Sequence, residues 1–156
     1  MEVFSMAKRI LVPLDRRTAS AAILPLVADV ARGAGPTLRL LHVAPVPDAV
    51  ESEDGRVIAY ADQEMARLES EGHEYLDGLA ASLPDVAVEC VVRFGQPARE
   101  ILVEAEAWDA DLIAVTATRT RWFDRIRRRG VADRVFRRAS VPVLVYRSGA
   151  VDSAAR

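Results

Sequence analysis

The sequence contains few of the cysteine and histidine residues that form disulfides or bind metals. Cys90 is the only cysteine, and a single thiol cannot form a disulfide within the chain. It lies in an apolar run, so we expect a buried structural thiol. His42 and His73 are the only histidines, and we interpret His42, within a predicted strand, as a core or rim residue. No zinc motif, nucleophile elbow or Walker P-loop occurs. The sequence therefore predicts no catalytic residue and no metal ligand.

Long hydrophobic runs are also absent. The first apolar run, Ile10 to Leu14, is far shorter than the roughly 20 residues of a membrane-spanning helix. The start of the chain, Met1-Glu2, lacks the basic stretch of a secretory signal. We therefore expect a cytoplasmic protein with no membrane partner.

Neither sign of charge dominates overall, but the charges are segregated. The formal net charge is -2 with a pI near 5.7, so we expect no nucleic-acid partner. The charges are mostly acidic from Asp48 to Glu74 and mostly basic from Arg119 to Arg138. The basic cluster is either a solvated surface or a site for an anion, a nucleic-acid backbone or an acidic partner. Alternatively, the two clusters face each other within one chain or across a dimer.

Short apolar runs alternate with helical patterns along the chain. The predicted strands cover residues 10–14, 38–43, 86–94, 112–115 and 141–146. Continuous Val- and Leu-rich strands separated by helices are typical of a parallel sheet covered on both faces. Thr18 or Ser20 can cap the first helix, and Pro25 predicts a late start or a kink there. With 156 residues the chain suits one domain, predicted at 7–148 with tails at 1–6 and 149–156.

Several motifs, in this order and spacing, resemble the universal stress protein family. They are Ile10-Leu-Val-Pro-Leu-Asp15, Leu41-His-Val43, Gly95-Gln-Pro97 with Glu100-Ile-Leu102, Ala110-Asp-Leu-Ile113, and Ala139-Ser-Val-Pro-Val-Leu-Val145. The resemblance implies an α/β fold: an open, twisted, five-stranded parallel sheet of order 3-2-1-4-5 with helices on both faces. It also implies a stress-response or regulatory role with an unnamed protein partner. We expect a homodimer through the edge strand Val141–Tyr146, in which Pro142 suits an edge.

That strand order predicts where a ligand would bind. Strands one and four are neighbours whose connections leave on opposite faces, and such a switch point opens a crevice at the carboxyl ends of the strands. Asp15 closes strand one and Thr116 follows strand four. The family resemblance places Pro13, Leu14, Asp15 and Val43 on the adenine side of the crevice. For Asp15, the alternative is that it only closes the turn after the strand.

The phosphate side departs from the family pattern. ATP-binding members have glycine, two residues, glycine, nine residues, then glycine followed by serine or threonine. Here Thr116, Arg119 and Arg129 hold the three glycine positions, and Gly130, followed by Val131, holds the Ser/Thr position. A non-glycine residue at positive φ costs on the order of 1–2 kcal/mol, whereas each charge-assisted bond to phosphate returns about 1.5–3 kcal/mol.

The choice between the strain cost and the gain from arginine–phosphate bonds depends on geometry. Bulky side chains block the close approach of backbone N–H groups to phosphate, and arginine charges that are not placed around the phosphate do not replace those N–H groups. We therefore predict a regulatory module with no cofactor, to which ATP with Mg²⁺ binds weakly or not at all, and no enzymatic activity. Two alternatives stay open. One is an ATP-binding signalling module with an arginine-substituted loop, in which slow hydrolysis is possible. The other is an anion or nucleic-acid binder acting through the arginine cluster.

Overall fold

The structure is a computed structural model that describes residues 7–16, 19–47, 57–118 and 130–148. The predictions for Arg119, Arg129, Thr18 and the two tails lie outside these residues. Within the described ranges, no helix combines the length and the apolar character needed to cross a bilayer.

Five strands alternate with helices along the chain. The strands are β1 (Arg9–Pro13), β2 (Thr37–Ala44), β3 (Ala87–Phe94), β4 (Leu112–Thr118) and β5 (Val143–Ser148). The helices are a 3₁₀ helix (Ala19–Ile23), α1 (Leu24–Ala34), α2 (Val57–Ala81), α3 (Pro97–Ala107) and α4 (Val131–Arg138). All strand pairs are parallel and the order is β3-β2-β1-β4-β5. The predicted fold and strand order are therefore confirmed.

The sheet is buried on both faces, which explains the unbroken apolar runs. Successive residues of β1 point to opposite sides, yet Ile10, Leu11 and Val12 are all fully buried. Helices α1 and α2 cover the face that contains Ile10, and α3 and α4 cover the face that contains Leu11. The alternation that marks a half-exposed strand is therefore absent.

Strands β4 and β5 differ most from their predicted bounds, whereas the ends of β1, β2 and β3 shift by at most one residue. Strand β4 continues to Thr118, because the polar residues after Val115 still pair with β5 in the parallel ladder. Strand β5 begins at Val143 rather than Val141. The carbonyl of Pro142 accepts a bond from the Ile113 N–H at 3.0 Å, but proline has no N–H to donate, so the regular ladder starts one residue later.

The first helix begins late, as Pro25 predicted. The chain forms the 3₁₀ helix first, and α1 starts at Leu24 with Pro25 in its first turn, where a missing N–H costs no helical bond. The predicted cap at Ser20 is wrong, because Ser20 lies inside the 3₁₀ helix and bonds the backbone of Asp15 instead.

Glycine in the middle of α2 has a packing role. A Cβ on Gly72 would lie 2.9 Å from Cγ2 of Val92 and 3.1 Å from Cδ2 of His42. The helix backbone therefore approaches β2 and β3 more closely than any side chain would allow. Sequence alone presented this glycine only as a weak point of the helix.

Candidate functional site

A cleft lies at the carboxyl ends of β1, β2 and β3, between α2 and the start of α3. Its volume is about 650 Å³, within the range of small-molecule sites. The lining residues are Asp15, Arg16, His42, Val43, Ala44, Pro45, Arg67, Leu68, Glu71, Gly95 and Pro97. None of the described residues of β4 or α4 belongs to this lining.

The residues predicted for the adenine side are only partly brought together. Asp15 and Val43 line the cleft, whereas Leu14 is buried beneath it. The Leu14 N–H donates to the Leu41 carbonyl at 2.8 Å, so Leu14 acts as a core residue that joins β1 to β2. Pro13 is the last residue of β1 and is not part of the lining.

Asp15 closes a turn through its backbone. Its N–H donates to Oγ of Ser20 at 2.7 Å, and the same hydroxyl donates to the Asp15 carbonyl at 3.1 Å. Ser20 is only 6% exposed, so the turn is held from inside. Because the backbone makes these bonds and the residue lines the cleft, the two interpretations of Asp15 do not exclude each other.

Thr116 links β4 to the segment that follows β1. Its hydroxyl donates to the Ser20 carbonyl at 3.0 Å, which fastens β4 to the 3₁₀ helix packed on its end. In the family pattern this position is a glycine. A side chain with a hydrogen bond therefore occupies the place where the pattern requires open backbone.

Gly130, which belongs to the predicted phosphate loop, does not adopt a strained backbone conformation. Gly130 precedes α4 with φ of -60° and ψ of 165°, and a Cβ added there would meet no atom within 4 Å. Across the described ranges, positive φ occurs only at Gly35, Gly95 and Asp109. The described parts of the loop therefore contain no left-handed residue of the kind that forms an anion nest. Val131, which follows, is exposed.

The mouth of the cleft contains a chain of ion pairs that the sequence did not indicate. Nη1 of Arg16 lies 3.0 Å from Oε2 of Glu71, and Arg67 pairs with both Glu64 and Glu71. The hydrogen bond from Arg67 lowers the pKa of Glu64. The pairs of Arg67 are local to α2, at spacings of three and four residues, whereas only the fold brings Arg16, which follows β1, to Glu71.

His42 has the structural role that its strand position predicted. Its Nδ1 lies 3.0 Å from the Leu14 carbonyl, and its ring meets that of Tyr75 edge-on at 6.1 Å. Burial raises the pKa of Tyr75, although a hydrogen bond with Ser20 acts in the opposite direction. In the part of the chain that the structure describes, no three His, Cys, Asp or Glu side chains form a metal-binding group.

The fold and the position of the cleft define the doubly wound α/β class, in which ligands bind at the carboxyl edge of a parallel sheet. The sequence profile of the universal stress protein family matches residues 6–147. The chain therefore belongs to the universal stress protein family. A search of the curated proteins finds no match.

Solved structures share this fold. The hypothetical protein MJ0577 aligns with a TM-score of 0.72 at 24% identity, over 93% of this chain and 99% of its own. The universal stress protein UspA from Lactobacillus plantarum aligns with a TM-score of 0.64 at 25% identity, over 90% of this chain and 98% of its own. A universal stress protein solved in complex with cAMP aligns with a TM-score of 0.62 at 15% identity, over 92% and 98%.

Proposed function

We propose that this chain is a regulatory interaction module that binds ATP weakly or not at all and acts through a protein partner. The observation that carries the proposal is the bond from the Thr116 hydroxyl to the Ser20 carbonyl. It puts a side chain where ATP-binding members have their first glycine. The sequence adds Arg119 and Arg129 at the next two glycine positions, and both lie outside the described residues.

Phosphate chemistry explains why these replacements weigh against ATP. A triphosphate carries several negative charges and needs several convergent N–H donors, which glycines provide by allowing the backbone to approach closely. The Thr116 hydroxyl donates its hydrogen bond to the Ser20 carbonyl, and Gly130 has an ordinary extended backbone. Both observations support the proposal that the phosphate side does not hold ATP in the family's usual way.

Calorimetry with ATP and Mg²⁺ tests the proposal directly. We expect no measurable heat, or a dissociation constant weaker than about 1 mM. A micromolar constant, or ATP that copurifies with the protein, would contradict the proposal.

Restoring the glycine pattern makes the test sharper. We expect Thr116→Gly, Arg119→Gly, Arg129→Gly and Gly130→Ser together to strengthen ATP binding at least about tenfold. A matched variant carries Thr116→Val in place of Thr116→Gly, which removes the hydroxyl but keeps the bulk. If bulk at position 116 is the obstacle, the variant with valine stays weak. Equal affinities of the two variants would place the obstacle elsewhere.

The cleft supports a second candidate, an ATP-binding or other nucleotide-binding signalling module. Asp15 and Val43 line it, its volume suits a nucleotide, and a structurally similar universal stress protein was solved with cAMP. Titration with AMP or cAMP distinguishes this candidate, because a single phosphate depends less on the loop than a triphosphate does. Binding of AMP together with failure of ATP would favour it over a module without any nucleotide.

We also propose a homodimer through the edge strand, now placed at Val143–Ser148. Strand β5 pairs only with β4 in the described sheet. Val131, Phe136 and Val145, on this strand and its preceding helix, are 40%, 61% and 37% exposed. Pairing with a second copy would cover both the open edge and these side chains. We expect light scattering to give a dimer at micromolar concentration, and a monomer would contradict this proposal.

A further inference from the structure

Two surfaces of opposite charge stand out on the described molecule. Helix α2 contains six acidic residues and a single arginine, Arg67. The segment 130–148 contains four arginines and a single acid, Asp133. We call the exposed acids of α2 the acidic face: Asp62, Glu69, Glu74 and Asp77. We call the arginines of α4 and β5 the basic face: Arg134, Arg137, Arg138 and Arg147.

The charges of these faces are mostly not neutralised locally. Arg137 lies 3.2 Å from Asp133 on α4, and Arg67 takes up Glu64 and Glu71 beside the cleft. Within the described ranges, no ion pair joins any residue of the acidic face to a cation, and none joins Arg134, Arg138 or Arg147 to an acid. Each face therefore keeps most of its charge toward solvent.

The fold keeps the two faces apart within one chain. Helix α2 packs on β2 and β3, whereas α4 packs on β4 and β5 on the opposite side of the sheet. From β3 to β5 there are four strand spacings of about 4.8 Å, or roughly 19 Å. The Debye length at physiological salt is about 8 Å. For the described residues, the option that the two clusters pair within one chain is thus excluded.

A β5-to-β5 dimer would not bring the faces together either. In such a dimer the basic faces lie beside the shared edge, and the acidic faces lie at the two far ends. Opposite faces would then meet only between separate dimers, or between separate chains if the protein is a monomer.

We propose that the acidic face of one copy binds the basic face of another in a head-to-tail contact. The partner is a second copy because the complementary charges lie on the same chain, at positions that only another molecule can reach. Such a contact uses two different surfaces, so each copy can bind two others, and repeated contacts form either a ring or an open chain of copies. Since the contact is electrostatic, it forms at low salt and dissociates as salt screens it. It requires neither ATP nor the β5 dimer.

Sedimentation velocity of the full chain at two ionic strengths is the first test. At about 20 mM NaCl we expect the mean mass to rise with protein concentration, and at about 500 mM NaCl we expect it to fall to one basal species. A mass that does not change with salt overturns the proposal. The basal species, monomer or dimer, reports separately on β5.

Charge reversal gives a test that a general salt effect cannot imitate. The variant Arg138→Glu with Arg147→Glu and the variant Glu69→Lys with Glu74→Lys each remove one face. We expect each alone to weaken low-salt association at least about tenfold. We expect an equimolar mixture of the two variants to regain it, because each then offers what the other lacks. Failure of the mixture to associate overturns the proposal.

Two controls bound the interpretation. Arg99→Glu with Glu106→Lys reverses two exposed charges on α3, outside both faces, and should leave association unchanged. A single-stranded 20-nucleotide DNA, added at low salt, tests a polyanion as the partner. Tight DNA binding that depends on Arg138 and Arg147, without any self-association, would assign the basic face to nucleic acid instead.

Discussion

The two halves of the carboxyl edge are built differently. Over β1, β2 and β3 the edge is an open cleft with ion pairs at its mouth, and a second network of buried charges lies under α3. On the β4 side, the Thr116 hydroxyl instead donates a hydrogen bond of 3.0 Å to the Ser20 carbonyl in the 3₁₀ helix. The proposal of weak ATP binding rests on this difference, because the family pattern begins its phosphate loop at the position where Thr116 makes this bond.

The network under α3 explains how the cleft half is held. Glu104 is 4% exposed and accepts bonds from Arg39 at 2.7 Å and Arg93 at 2.8 Å. Arg39 also stacks on Trp108 at 4.4 Å, and Arg93 bonds Glu100 at 2.8 Å. Three separate elements, β2, β3 and α3, are therefore joined at one carboxylate.

The largest expected effect is the loss of that carboxylate. Glu104→Ala leaves two partly buried guanidinium groups short of an acceptor, and breaking a buried ion pair costs about 3–5 kcal/mol. Arg39 still pairs with Glu89, and Arg93 still pairs with Glu100. We therefore expect the free energy of unfolding, measured in urea, to fall by about 3 kcal/mol, at the low end of this range. Glu106→Ala on the exposed side of α3 should change it by less than about 0.5 kcal/mol. Equal effects would show that the network contributes nothing specific.

A pair of glycines on α2 tests the close packing beside the cleft. Gly72→Ala puts a methyl group 2.9 Å from Val92, and overpacking of this kind costs about 1–3 kcal/mol. Helix propensity returns about 1 kcal/mol, so we expect a net loss of about 1 kcal/mol. Gly78→Ala meets no atom within 4 Å and should stabilise the protein by up to about 1 kcal/mol. The same sign at both positions in thermal or urea unfolding would contradict the packing argument.

The smallest expected effect concerns the thiol between α2 and β3. Burial, followed by the neighbouring Asp77, raises the pKa of Cys90 to about 11. A raised pKa means that the stability contributed by the neutral thiol is complete below the unfolded pKa of about 8.5 and is lost as the pH rises toward 11. Between those values the wild type should lose stability relative to Cys90→Ala. Identical pH profiles for the two proteins would contradict this assignment.

The reactivity of the same thiol gives an independent reading. A thiol with a raised pKa is mostly protonated at pH 8, so it should react slowly with iodoacetamide. Asp77→Asn removes a negative charge that disfavours the thiolate, and it should speed the reaction. Glu74→Gln, one turn earlier on the exposed side of α2, is the matched control and should leave the rate unchanged.

Much of the fold was predictable because strands buried on both faces of a parallel sheet appear in the sequence as unbroken runs of apolar residues. The run from Ile10 to Leu14 and the one around Leu40 needed no tertiary information to be identified as strands. The end of β4 was not predictable in this way, since Thr116 to Thr118 is polar and is extended only because β5 pairs with it. Pro25 predicted a late helix start correctly, because its effect on the helix is local.

The candidate site was less predictable because its contacts join distant parts of the chain. Asp15 and Val43 could be placed from the resemblance, and both line the cleft. Arg16 and Glu71 lie 55 residues apart, and Arg39 and Glu104 lie 65 apart. No local pattern marks such partners. The resemblance also suggested Leu14 and Pro13, which the structure places beneath or beside the cleft rather than in it.

Ser20 connects the two halves of the edge. Its hydroxyl holds the Asp15 turn on the cleft side, while its carbonyl accepts the bond from Thr116 on the β4 side. A serine side chain and a serine backbone are separate chemical groups, so one connection can be removed while the other stays. Replacement of Thr116 by glycine would remove the bond between β4 and the 3₁₀ helix without removing the bonds that hold the turn at Asp15. The contacts on the β4 side and those on the cleft side are therefore separable by substitution.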